Sequence, residues 1–405
     1  MAQDLSVFNA QHWAKEMQLM YFKENVARAI ANEELRDVLV DGTRVHRPYR
    51  GGLIDQEYSR TAVISTFNEL GGQDEYLDVD TARVVPFYVD DLDKLDNKWD
   101  MQRIYAQDAQ KVLNNRIDQA VLAEYSNAHS FVSAQDLGGS GTGEAVVNTS
   151  NVSNLFTVAG RQLDKFNRSL GQRFAIIGPR LKELIKLAAA GRETAWGDMV
   201  GANGLVGPRF GFECYLSNNV PFTAVVTNSG IPTAGQYFYV DGVAFKWVAD
   251  GTAAAAGEVS LGDGGGGTAD KAYANLVLAI NGTGTPGVNT YIEISADDRD
   301  QLRMGAITAS YNSGTDVLTI SGYGDVVVSI GTTANVALTS NVQHPLFGVK
   351  KAIDLVIKKE ANLDFRKPSN RLGTNVFAWT YYGKKTFTKE KKSLVYAKID
   401  TSSWV

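Results

Sequence analysis

Four histidines, one cysteine, one unusual serine and a run of acids are the residues of this 405-residue chain whose types could do chemistry. His12, His46, His129 and His344 stand far apart, and none falls in an H-E-x-x-H or similar spacing that would hold a metal or build a triad. Ser217, in YLSNNVP, lacks the G-x-S-x-G elbow that exposes a nucleophile. Cys214, between Phe212 and Tyr215 in an apolar run, reads as an inert core thiol. Asp90, Asp91, Asp93 and Asp96 lack the glycine and glutamate of a calcium-binding EF-hand loop. Acids placed just before a helix instead complement its positive end and cap it.

Two glycine-rich loops invite a test as phosphate cradles. A P-loop needs a lysine and a hydroxyl residue directly after its last glycine, to serve the phosphates and magnesium. Neither Gly138–Gly143 nor Gly264–Gly267 is followed by that pair, and neither follows a strand in a βαβ setting. Both read as flexible turns. The sequons at Asn148, Asn167 and Asn281 read as chance matches. No catalytic set, cofactor or metal site is expected, and the chain does not read as an enzyme.

The elements point to architecture. Residues 87–125 begin as a strand, pass the acids and continue without Gly or Pro. Met101, Ile104, Tyr105, Ala109, Val112, Leu113, Ile117, Ala120 and Val121 recur at helical steps. A helix over residues 99–127 would span about 45 Å, more than an ordinary domain needs. Residues 1–40 read as an amphipathic helical arm that needs something to lie on. In residues 41–82, Arg44, His46, Arg47 and Arg50 precede Gly51-Gly52, and extended runs at 60–67 and from Tyr76 toward Val89 flank Gly71-Gly72. That pattern reads as a long hairpin, marginal in water when alone.

An α/β stretch follows: a helix over 151–167, a strand over 173–177, and a helix that starts at Gly178-Pro179 and stops at Gly191. Residues 223–340 turn rich in Gly, Ala, Thr and Val, with expected strands at 237–248, 316–320 and 325–330 and one helix near 269–280. HPLFGVKKAIDLVIKKE then returns to the earlier style, so residues 341–370 are expected to complete the sheet begun at 151. Aromatic strands, AWTYYGKKTF and LVYAKI, close the chain.

Composition narrows the class. Hydrophobic residues make up 44% and charged residues 21%, an ordinary globular balance with room for two or three cores. A net charge of −5 leaves no broad basic face for tight nucleic-acid binding. A single cysteine excludes an intrachain disulfide and suits a reducing compartment, and no apolar run is long enough to span a membrane. The start, MAQDLSVFNAQHWAKEM, does not read as a signal peptide, so folding in a cytoplasm is expected.

Three patterns carry a resemblance. They are F-x-VDD-x-DK at residues 87–94 ahead of the long helix with Ile117-Asp118 midway, GANGLVGPRFGFECYLSNNVP at 201–221, and Asp241-Gly242-Val243 with Asn275–Asn281 in the glycine-rich block. The chain resembles the major capsid proteins of tailed double-stranded DNA bacteriophages. The resemblance implies an α+β, Hong Kong 97-like fold. It divides into an amino-terminal arm (1–40), an extended hairpin loop (41–82), a peripheral domain with a spine helix (83–150 and 371–405), an axial domain (151–222 and 341–370) and a β-rich insertion domain (223–340). It also implies self-assembly as hexamers and pentamers into an icosahedral shell around DNA held without sequence-specific contact. A portal protein, a scaffolding protein and a decoration protein are the further partners it suggests, with assembly in the bacterial host cytoplasm and no membrane.

Within that picture Arg44, Arg47 and Arg50 are expected to clamp a neighbouring subunit at Asp90, Asp91, Asp93 and Asp96. Some members of the family crosslink through a hairpin lysine. Residues 41–82 contain none, so no such bond is expected. The rival reading is a β-rich surface adhesin or carbohydrate-binding module, suggested by residues 223–340 and opposed by the long helix.

Overall fold

The strand Arg173–Ile177 is buried at all five positions, which requires cover on both faces of its sheet. In this computed structural model, which describes residues 23, 25–39, 41–55, 57, 60, 67–68, 71–91, 101–190, 208, 210–331 and 335–402, both covers are present. Ala175 and Ile177 pack with Leu155, Phe156 and Leu181 of two helices, Val152–Lys165 and Pro179–Ala190. Phe174 and Ile176 point the other way, onto Ile117, Val121 and Leu122 of the long helix Met101–Leu122. The alternation is the period of two along a strand.

That strand sits in a five-stranded mixed sheet of order Ser130–Val132, Leu394–Ala397, Leu346–Val349, Arg173–Ile177, Phe212–Leu216. Of the segment expected to complete the sheet begun at 151, only Leu346–Val349 does so. Asp354–Arg366 instead forms a separate antiparallel sheet with Thr374–Lys385 and Thr81–Val89. One face of this three-stranded sheet packs on the long helix, where Ala109 and Leu113 meet Ala378, Val85, Phe87 and Leu363. Small residues at Ala109 and Ala378 let helix and sheet approach closely. Along the helix Ala106, Ala109, Leu113, Ile117 and Val121 are buried, whereas Tyr105 and Val112, on the same apolar period, face outward.

The hairpin pairs differently from the expected register. Arg44–His46 lies against Tyr76–Asp78, and Tyr49–Arg50 against Gly72–Gln73. Gly72 is thus part of a strand, and the expected strand at 60–67 falls mostly outside the described residues, as does most of the arm before Ala27. From Ala27, two short turns of helix, Ala27–Ile30 and Leu35–Val38, lie against the long helix and the strand Asp354–Arg366.

Beyond Leu216 the chain enters a sheet of order Thr308–Asn312, Val317–Tyr323, Pro221–Asn228, Val336–Gln343, Ile399–Asp400. A second, four-stranded sheet holds Glu258–Ser260, Val243–Val248, Tyr237–Val240 and Val328–Ile330. The run 237–248 is two strands, because Asp241 and Gly242 take positive φ and turn the chain in a two-residue hairpin loop. The helix Ala269–Asn281 is capped by Thr268 and ended by left-handed Gly282. A second helix, Ala296–Met304, was not expected, although Ser295 and Asp298 spell its N-cap. The largest apolar cluster, around Phe222, Phe245, Trp247, Tyr273 and Ile320, draws on residues 222–336 alone. The entering strand Pro221–Asn228 and the leaving strand Val336–Gln343 are direct neighbours.

Candidate functional site

The chemistry-bearing residues do not converge. His46 pairs with Asp74 on the surface at 2.6 Å, His129 lies edge-on to Phe166, and His344 is enclosed by tyrosines; His12 falls outside the described residues. Cys214 sits beside Ala175 in the mixed sheet. The buried Ser217 hydroxyl accepts from the Asn219 backbone N–H at 3.0 Å, a loop-forming contact. In the glycine run, the Gly264 and Gly266 N–H groups donate to the Asp250 carboxylate at 2.8 and 2.7 Å. The donors a phosphate would need are already used there. Among the described residues no group of three potential metal ligands comes together.

The structure concentrates its polar chemistry in three buried carboxylates instead, each tying distant segments together. Asp118, midway along the long helix, accepts from the Val26 and Ala27 N–H groups at 2.7 Å each and from Asn219 Nδ2 at 2.8 Å. It thereby caps the first turn of the arm helix, whose N–H groups have no partner within the helix. Asn219 also donates to Asn115 at 2.6 Å and belongs to the SNNVP loop that leads into the large β-rich block. Lys23 adds to this junction by donating to the Asn218 and Tyr323 carbonyls at 2.9 and 3.2 Å. Burial lowers its pKa to about 8. Burial also raises the pKa of Asp118, and the three N–H donors pull against that rise.

Asp354, fully buried, accepts from Asn32 Nδ2 and from Arg47 Nη1, both at 2.7 Å. Here arm, hairpin and three-stranded sheet meet. Burial pushes this carboxyl up, and Arg47 opposes the shift. Glu124, just beyond the long helix, accepts from Lys384 and Asn127 at 2.8 Å and from Thr386 at 2.9 Å. Burial acts upward on Glu124, but Lys384 and the other donors outweigh it and leave the pKa below the usual range.

The expected clamp residues are thus placed as follows. Arg44 forms a forked pair with Asp78 of its own hairpin at 2.6 and 3.2 Å and lies over the Tyr76 ring. Arg47 is engaged by Asp354, and Arg50, on the strand Tyr49–Arg50, has no ion pair among the described residues. Asp90 accepts from the Tyr88 hydroxyl at 3.1 Å; Asp91 is described, and Asp93 and Asp96 lie outside the described residues. Arg44 and Arg47 thus pair with Asp78 and Asp354. Sequence reasoning missed Glu124 and Asp354 as junction residues. Asp118, whose pairing with Ile117 stood out, carried the one readable signal: an acid on a buried helical stripe.

Several large apolar side chains face outward. Leu53, Ile54 and Phe67 of the hairpin are largely exposed. On the three-stranded sheet, Phe377, Trp379 and Tyr381 share the face turned away from the long helix with Val84 and Tyr88. Arg366 and Lys359 rest over Phe377 and Trp379 at its margin.

Against solved structures, the chain is similar over nearly its full length to a chain of Mycobacterium phage Che8. The TM-score is 0.59 at 12% identity, covering 96% of this chain and 97% of that one. It is likewise similar to a chain in the capsid structure of the cyanophage P-SCSP1u, with a TM-score of 0.55 at 12% identity and 98% and 95% covered. The chain has the fold of a phage capsid protein. No protein-family model and no curated protein sequence matches it. None of the described helices is long and apolar enough to cross a membrane.

Proposed function

We propose that this chain is the major capsid subunit of a tailed bacteriophage and assembles into the icosahedral shell that encloses its double-stranded DNA. The observation that carries the reading is the end-to-end match to a chain of the cyanophage capsid structure and to a chain of phage Che8, covering more than nine-tenths of both partners in each case. The Hong Kong 97-like reading is supported by the order of parts: arm, hairpin, long helix on a three-stranded sheet, and helices on a mixed sheet. The insertion-domain reading is supported by the cluster confined to residues 222–336 and by the adjacency of its entering and leaving strands. The block would lie on the shell's outer face, where it offers support in folding, a contact between capsomers or a dock for a decoration protein. The β-rich adhesin reading accounts for that block and leaves the long helix and mixed sheet without a role.

The mechanism is geometric. The buried carboxylates hold arm, hairpin base, helix and sheets as one unit, and the exposed apolar surfaces meet other copies in hexamers and pentamers. Each contact can be weak, because a subunit in a closed shell is held by many at once. Portal and scaffolding proteins would complete assembly, and a mildly acidic chain encloses DNA without gripping it. No catalysis is assigned to the chain. In the absence of a hairpin lysine the shell relies on non-covalent contacts; a ladder of multimers from boiled particles in detergent gels would refute this.

The clamp remains part of the proposal in a narrower form. Arg44 and Arg47 have partners in their own chain, so Arg50 is the arginine best placed to meet a neighbour's Asp90, Asp91, Asp93 or Asp96. An exposed pair is worth about 0–1 kcal/mol, so Arg50→Glu should slow assembly in low salt and leave the fold intact. Unchanged assembly kinetics at every ionic strength would remove Arg50 from the contact. Particle formation itself is tested by size exclusion with negative-stain microscopy.

A further inference from the structure

Two of the three crossings between the mixed sheet and the β-rich block are Ser217–Val220 on the way out and His344–Pro345 on the way back; Lys398, between Leu394–Ala397 and Ile399–Asp400, is the third. The first two are tied to each other, since the His344 N–H donates to the Pro221 carbonyl at 2.8 Å. The His344 ring is buried at this hinge, stacked on Tyr125 at 4.4 Å and 12° and edge-on to Tyr396 at 5.8 Å. Tyr125 and Tyr396 touch each other at 5.4 Å, so the three rings form one closed cluster. Tyr125 comes from the turn after the long helix and Tyr396 from the mixed sheet. The Ala397 backbone hydrogen-bonds the imidazole, while its Nδ1 is buried with no hydrogen-bond partner among the described residues.

We propose that His344 is an acid-triggered latch on the hinge between the mixed sheet and the block. Neutral imidazole fits the cage, because an unprotonated Nδ1 needs no acceptor. Protonation adds an N–H that has nowhere to donate and a charge that the tyrosine cage must hold without water. The groups that face the ring are the Tyr125 and Tyr396 phenols and the Lys398 ammonium, and among the described residues no carboxylate pairs with it. Burial first and Lys398 second lower the His344 pKa to about 4, against 6.5 when free. The open hinge therefore takes up a proton below pH 6.5 and the closed hinge does so only near pH 4. Across that window the closed state weakens by up to about 300-fold relative to the open one. The proposal does not depend on the capsid reading, since the hinge lies within one chain.

Hydrogen exchange followed by mass spectrometry on the full chain at pH 7 and pH 4.5, corrected for intrinsic rates, tests it. Peptides covering 217–222 and 341–346 should lose protection in acid, while peptides covering 238–248 keep it. His344→Phe, which preserves the ring packing and cannot titrate, should abolish the local response, with His344→Gln as the second variant. Equal acid opening in a variant that folds would overturn the latch. Should neither fold, the wild type decides: no selective loss at the hinge between pH 6.5 and pH 4 overturns it as well.

Discussion

Arg47 reaches across 307 positions of sequence to place its guanidinium 2.7 Å from Asp354, a carboxylate fully removed from solvent. The base of the hairpin is therefore pinned to the three-stranded sheet of its own subunit. Removing a partner from a fully buried pair costs about 3–5 kcal/mol. Arg47 is 40% exposed, which screens the pair, and a loss of about 1–2 kcal/mol is expected for Arg47→Ala. Urea unfolding measures it, and a change within about 0.3 kcal/mol would mean that the pair is a surface contact.

Asp118→Ala would strand the Val26 and Ala27 N–H groups and one N–H of the Asn219 amide together, the other staying on Asn115. With unsatisfied buried donors at about 1–3 kcal/mol each, a loss of about 2–4 kcal/mol is expected. Asp118→Asn keeps one acceptor oxygen and should cost less. Limited proteolysis gives a second readout, since the arm should become cleavable near Val26. An arm that stays protected in Asp118→Ala would show that the carboxylate does not hold it.

Glu124 supplies a pH dependence. Its folded pKa lies below the ordinary 4.5, so its stabilising effect is present above pH 4.5 and is lost as pH falls through the folded value. Glu124→Gln should flatten that part of the acid unfolding curve and lower stability at pH 7 by about 1–3 kcal/mol. An unchanged acid limb would separate Glu124 from the transition.

Gly383 faces the hairpin base so closely that a Cβ would lie 2.2 Å from the Asp78 carbonyl oxygen and 2.8 Å from Val79 Cα. Both contacts are backbone, so the segment itself must shift. Gly383→Ala is expected to cost about 1–3 kcal/mol, and a neutral effect on thermal unfolding would contradict the close approach.

Much of this was legible in the sequence, and the reasons it stopped are physical. The stripe Ala109, Leu113, Ile117 and Val121 announced the long helix, and the strand Arg173–Ile177 stands where it was expected. Tyr105 and Val112 share that helical period yet face outward, because periodicity marks a stripe without stating how wide its cover is. Asp241-Gly242 was visible as a dipeptide, but its positive φ split one expected strand into two. The junctions were hidden because their partners are remote: Asn32 and Arg47 meet Asp354, and Lys384 meets Glu124, over separations that no local pattern encodes. The cis pairing of Arg44 with Asp78 depends on a register that the Gly71-Gly72 break did not reveal.

The most direct test of the central claim is negative-stain microscopy of the purified chain, paired with size exclusion over a range of protein and salt concentrations. Capsomers or closed shells, dissociating as contacts at the hairpin and the aromatic sheet face are replaced by charge, are the predicted result. A folded chain that stays monomeric across all those conditions, with and without co-produced assembly partners, would contradict it.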